Sequence, residues 1–104
     1  MNGSWFTYLL RCADGKIYTG VTNDLQKRMA AHNKGEASKF TRVRLPVILL
    51  AVSRAMTKED AFRLEYAIKH LPREKKVQAL IDGLAEKKAL IGPDKAQTKA
   101  QTKD

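Results

Sequence analysis

The chain has 104 residues, 43% of them hydrophobic, and 20 Lys and Arg against 11 Asp and Glu, a formal net charge of +9. That length suits one domain with a small core, and the positive excess points to a polyanionic partner held through phosphate contacts and counterion release. One cysteine, Cys12, excludes an intrachain disulfide, no Cys/His cluster has zinc spacing, and no apolar run approaches the roughly 20 residues that span a bilayer.

Trp5 to Arg11 is rich in aromatic and apolar residues and reads as a strand, and Lys16 to Val21 reads as a second. Cys12-Ala13-Asp14-Gly15 between them is a hairpin signal with two possible geometries. A two-residue Asp14-Gly15 loop puts Tyr8 and Tyr18 on opposite faces of the sheet. A three-residue loop, with Gly15 at positive φ, sets Tyr8 opposite Gly20 and brings both phenols to one face. The residues alone fit either register.

Asp24 to about Asn33 reads as a helix, with Thr22 or Asn23 as its N-cap and Gly35 just past its end. Arg28 and His32 are four apart, so they share a face beside the apolar positions Leu25 and Met29. Lys34 to Leu45 is a basic loop in which Lys39, Arg42 and Arg44 surround Phe40, a mix that suits a nucleic-acid backbone with a ring to stack on. Pro46 opens a third strand, Val47 to Ser53, whose unbroken apolar run predicts burial on both faces.

Thr57, with Asp60 three residues on, starts a second helix that runs to about His70. Ala61, Leu64 and Ile68 form its inward stripe, and Glu65 lies on the same side. An unpaired carboxylate there is costly, so it calls for a cation or a proton. The competing placement tilts Glu65 outward onto Lys69, a pair worth only a few tenths of a kcal/mol. A third helix begins near Arg73 with Val77, Leu80, Ile81 and Leu84 as its stripe, and Gly83 is placed to end it early. Residues 86–104 carry a tandem Ala-Gln-Thr-Lys and no large apolar residue after Ile91, which predicts a disordered basic tail behind a domain at 1–85. Fifteen bases and eight acids precede Glu86, so the positive charge belongs to the domain. Strand, strand, helix, strand, helix, helix is an α+β order: a small three-stranded sheet flanked by helices.

Taken together, Thr7-Tyr8-Leu9, Tyr18-Thr19-Gly20, "GVTNDLQKRMAAHNKG" with Arg28 and His32, and Glu65 in "RLEYAIKHL" resemble the GIY-YIG nuclease superfamily, most closely its small stand-alone bacterial members. The resemblance implies a metal-dependent endonuclease site where Tyr8, Tyr18, Arg28, His32 and Glu65 converge. In it Glu65 holds a single Mg²⁺ or Mn²⁺, Arg28 neutralises developing charge, and a tyrosine, most often the first-motif one, serves as general base. Tyr18 and His32 orient water and phosphate or relay the proton. Use of both tyrosines requires one face, hence the three-residue turn. The implied partner is DNA, branched or single-stranded, with RNA also compatible, in repair or recombination; the single cysteine and the lack of a membrane-spanning run make a reducing cytoplasm the expected setting. Lys16, Lys34, Lys39, Phe40, Arg42 and Arg44 are the expected nucleic-acid contacts. Thr7, Leu9 and Thr19 depart from the named motifs, Val21 stands where the repair branch has a lysine, and no asparagine follows Glu65. Those departures keep a rival reading in play, a nucleic-acid-binding module without useful catalysis. No membrane contact and no particular oligomeric state are implied.

Overall fold

The computed structural model describes residues 3–82. The expected tail, and the roles given to Gly83 and Leu84, lie outside those residues. The elements in chain order are β1 (Phe6–Arg11), β2 (Ile17–Thr22), α1 (Leu25–Asn33), α2 (Lys39–Arg42), β3 (Ile48–Val52), α3 (Lys58–Lys69) and α4 (Arg73–Ile81). The sheet is antiparallel with order β2-β1-β3, so the fold is the α+β arrangement expected, with β1 in the centre.

The hairpin takes the three-residue loop. Cys12 N–H donates to Lys16 O at 2.8 Å, Gly15 N–H donates to Cys12 O at 2.9 Å, and Gly15 has φ +89°. That conformation is cheap for glycine and strained for any residue with a Cβ. Tyr8 therefore pairs with Gly20 and Leu10 with Tyr18.

Alternation along β1 divides the core in two. Leu9 faces α3 and α4, in a cluster with Met56, Ala61, Leu64, Ile68 and Leu80. Tyr8 and Leu10 face the other way, with Cys12, Val47, Leu25 and Met29. Thr7 departs from the named motif, and its hydroxyl donates to Ala61 O at 2.7 Å while its N–H donates to Ser53 Oγ at 3.0 Å. The central strand is thus tied to α3 one helical turn before Glu65.

Three expectations are corrected. Burial on both faces belongs to β1, not to β3: Ile48 is 48% exposed, Leu49 40% and Val52 37%. An unbroken apolar run suits a central strand, but here the strand order puts it at an edge. Secondly, the N-cap of α1 is Asp24, whose Oδ1 accepts from Lys27 N at 3.1 Å. Thr22 is the last residue of β2, and its hydroxyl accepts from Asp24 N at 3.0 Å, turning the chain into the cap. Thirdly, the loop at 34–45 contains the short α2, with Ser38 Oγ capping Thr41 N at 3.0 Å. Elsewhere the expected signals hold: Thr57 caps α3, α4 starts at Arg73 after Pro72, and Gly35 follows α1 at φ +79°.

Candidate active site

β1 and β2 present Tyr8 and Tyr18 on one face, with ring centroids 6.4 Å apart. Gly20 is the reason they fit. A Cβ at that position would overlap the Tyr8 hydroxyl and ring and press on the Tyr18 ring. α1 supplies His32 from above this face. Its imidazole is completely buried, lies edge-on to both phenols, and bonds Tyr8 OH through Nε2 at 2.9 Å. Its Nδ1 lies 2.9 Å from Thr41 Oγ1, which in turn lies 2.9 Å from Ser38 Oγ. A continuous chain of polar groups therefore runs Tyr8, His32, Thr41, Ser38.

Two arrangements of protons satisfy that chain. In one the phenol donates to Nε2 and Nδ1–H donates to Thr41. In the other Ser38 donates to Thr41, Thr41 donates to Nδ1, and Nε2–H donates to the phenolic oxygen. Only the second offers a hydrogen bond to a phenolate.

Arg28 sits four residues before His32 on the exposed side of α1. Among the described residues its guanidinium forms no ion pair, so it is open to an anionic ligand. Burial, and secondarily Arg28, hold the His32 imidazole below its ordinary value. The Tyr8 phenol is raised well above its ordinary range, by burial first and then by Tyr18 and Glu65, with Arg28 opposing. One phenol thus senses charge from β2, α1 and α3 together.

Glu65 combines both placements the sequence offered. Its side chain is 19% exposed, and its Oε2 lies 3.3 Å from Lys69 Nζ. Among the described residues no three His, Cys, Asp or Glu side chains gather as a ready metal cage. A small hard cation such as Mg²⁺ keeps most of its water and needs only one or two carboxylates plus substrate phosphate. A mostly buried carboxylate that already draws an ammonium fits that demand.

The expected nucleic-acid residues are dispersed. Lys16 is exposed on the hairpin, and Lys34 is exposed at the end of α1. Lys39 and Arg42 border a groove with residues 35–38. Phe40 stacks on Tyr18 with centroids 5.9 Å apart and planes 27° apart. Arg44 is engaged within the fold: its Nε bonds Asp14 Oδ2 at 3.1 Å, its Nη1 donates to Phe40 O at 2.8 Å, and its guanidinium carbon lies 4.0 Å from the Phe40 ring centre. Sequence reasoning passed over Thr41 and Ser38. Their signal was a Ser-x-x-Thr cap spacing inside the basic stretch.

His32 makes a stability prediction. An imidazole depressed in the folded state lets the unfolded chain bind the proton first. Its contribution is therefore complete above the ordinary value of about 6.5 and is lost as pH falls toward the folded value. Thermal melts should show wild type losing stability between pH 7 and pH 5, and His32→Gln losing clearly less over the same interval. Parallel pH dependence in the two proteins would contradict this.

Residues 4–78 match the GIY-YIG catalytic domain. The chain is 45% identical over 86 residues to a "UPF0213 protein" of Lactococcus lactis subsp. cremoris, covering 82% of this chain and 88% of that one. It is 44% identical over 87 residues to "UPF0213 protein RBAM_000440" of Bacillus velezensis, covering 84% and 88%. The solution NMR structure of the protein EF2693 from E. faecalis superposes with a TM-score of 0.54 at 34% identity, covering 83% of this chain and 94% of that one.

Proposed function

The chain belongs to the GIY-YIG catalytic-domain family, a family of nucleases, and from that premise we propose that it is a metal-dependent endonuclease hydrolysing phosphodiester bonds in DNA. The observation that carries this reading is the Tyr8 phenol: bonded to His32 and sensing Tyr18, Arg28 and Glu65, it links every residue assigned to the chemistry. Glu65 would hold the divalent cation, Mg²⁺ or Mn²⁺, which when bound would act as a Lewis acid on the scissile phosphate.

The chain's own residues would do the rest. Arg28 would bind the phosphate, since its planar fork of donors matches two oxygens at once and follows the charge as it builds. His32 would take the Tyr8 proton at Nε2 while its Nδ1 proton passes to Thr41 and on through Ser38. With Nε2–H then facing the phenolic oxygen and the imidazole still neutral, the phenolate would take a proton from the attacking water. Tyr18 would orient water or phosphate beside it. Charge compensation at Glu65 removes one of the influences that raise Tyr8, and a guanidinium-bound phosphate brings the reacting groups to the phenol. Selection would follow DNA structure rather than sequence, on branched or single-stranded DNA of the kind met in repair and recombination. Among the described residues no helix is long and apolar enough to cross a membrane, and the proposed setting is the cytoplasm.

A second reading has its own support. Tyr8 is held protonated by burial, and Glu65 is already paired with Lys69. Both suit a nucleic-acid-binding module with weak or absent catalysis. Purified protein with Mg²⁺ or Mn²⁺, on a panel of labelled branched, single-stranded and duplex DNAs, separates the two. Divalent-dependent nicking that stops with chelator is the expected result. Salt-sensitive binding with no nicking of any substrate would favour the module.

A further inference from the structure

Beside Tyr18, and bordering the proposed cleavage site, lies a pocket of 290 Å³ lined by Ile17, Tyr18, Thr19, Phe40, Lys69 and Lys76. One wall is aromatic and fixed in place. Thr41 anchors α2 to the buried His32, and this sets its neighbour Phe40 beside Tyr18, where the residue stays 36% exposed. Arg44, held by Asp14, clamps the same ring. The other wall is cationic. Lys76 Nζ donates to Ile68 O at 2.8 Å and Lys69 O at 3.3 Å, two carbonyls in the last turn of α3. An ammonium has three donors, so one is left over. Lys69, whose Nζ also lies 3.3 Å from Glu65 Oε2, adds a second ammonium, and among the described residues no acidic side chain lines the pocket.

A rigid aromatic wall facing two ammonium groups complements a planar base carrying a phosphate. A paired base has both faces covered by its neighbours in the duplex and presents no face to such a wall. We propose that this pocket receives one unpaired nucleotide of the bound DNA strand, its base against the Tyr18 and Phe40 rings and its phosphate on Lys69 and Lys76. The inference deepens the nuclease reading and rests on it. It gives a physical reason for preferring single-stranded or branched DNA over intact duplex.

The test is binding without cleavage, in chelator, to a single-stranded oligonucleotide carrying fluorescent aminopurine and to the same strand in duplex. Wild type should quench the single-stranded probe at one register and leave the duplex probe unchanged. Phe40→Leu should abolish the quenching and weaken single-strand affinity ~10-fold, the scale of one lost base–aromatic stack. Phe40→Trp should restore both. Lys76→Met should weaken single-strand binding and lower its salt slope by about one. Equal losses on single strand and duplex, or tight binding with no quenching at any register, would overturn the pocket assignment. Equal quenching with free aminopurine deoxynucleotide would make it a mononucleotide site and overturn the strand assignment. Absence of DNA binding even at low salt is a different failure, which removes the nucleic-acid reading itself.

Discussion

Gly20→Ala is expected to destabilise the fold and disorganise the two-tyrosine face in one step. Gly20 is not at positive φ, since among the described glycines only Gly15 and Gly35 are, so the demand here is for space and not for backbone freedom. A methyl group would overlap the Tyr8 hydroxyl and ring. Tyr8 cannot swing away, because it is 1% exposed and its hydroxyl is bonded to His32. Overpacking of this kind costs about 1–3 kcal/mol. At ~4–8 °C per kcal/mol for a domain of this size, the melting temperature should fall by roughly 5–20 °C. Gly3→Ala, where the added carbon would meet the Ala55 Cβ at an ordinary 4.0 Å, is the matched control and should melt with wild type. A Gly20→Ala protein as stable as that control would mean the Tyr8 ring is not seated against β2.

Tyr8→Phe is expected to lower divalent-dependent cleavage by ~10²–10⁴-fold, the range for loss of a positioned proton-transfer group. DNA affinity should be nearly unchanged, because the hydroxyl is buried and already bonded within the protein. The substitution leaves His32 Nε2 without its partner, so a modest loss of stability should accompany it, about 1 kcal/mol on the usual scale for a buried hydrogen bond. A second readout is independent of activity. Alkaline absorbance titration of wild type should contain a phenol well above the ordinary tyrosine range, and Tyr8→Phe should lack it. A raised folded value means that the phenol's contribution to stability is present below its ordinary value of about 10 and is lost as pH climbs beyond it. Cleavage by Tyr8→Phe at the wild-type rate would transfer the general-base role elsewhere, Tyr18 first.

What could be read from the chain depended on how local each signal was. Caps and turns are local: Thr57, Pro72, Gly35 and the hairpin glycine sit where expected because each acts on backbone within a few residues. Even so, Asp14-Gly15 suits two loops, and the register came from the resemblance and not from the turn residues. The placement of β3 was misread because edge or centre is a property of strand order, which its own five residues do not contain. α2 has one turn, too short for any periodicity to register, so the path from His32 to Ser38 stayed hidden. Arg44 looked like a free cation beside Phe40, but its partner Asp14 is thirty residues away. Glu65 was legible as a boundary residue, since helical spacing put it beside the buried stripe, and its mostly buried carboxylate bears that out.

The central claim is that a carboxylate on α3 acts with phenols on β1 and β2 upon one phosphodiester. Its most direct test is to measure affinity and single-turnover cleavage on the same labelled branched DNA with Mg²⁺, for wild type and Glu65→Gln. The two proteins should bind alike, and the amide should cleave at least ~10²-fold more slowly, the scale for removing one charge-stabilising group. Equal cleavage by both proteins would contradict it.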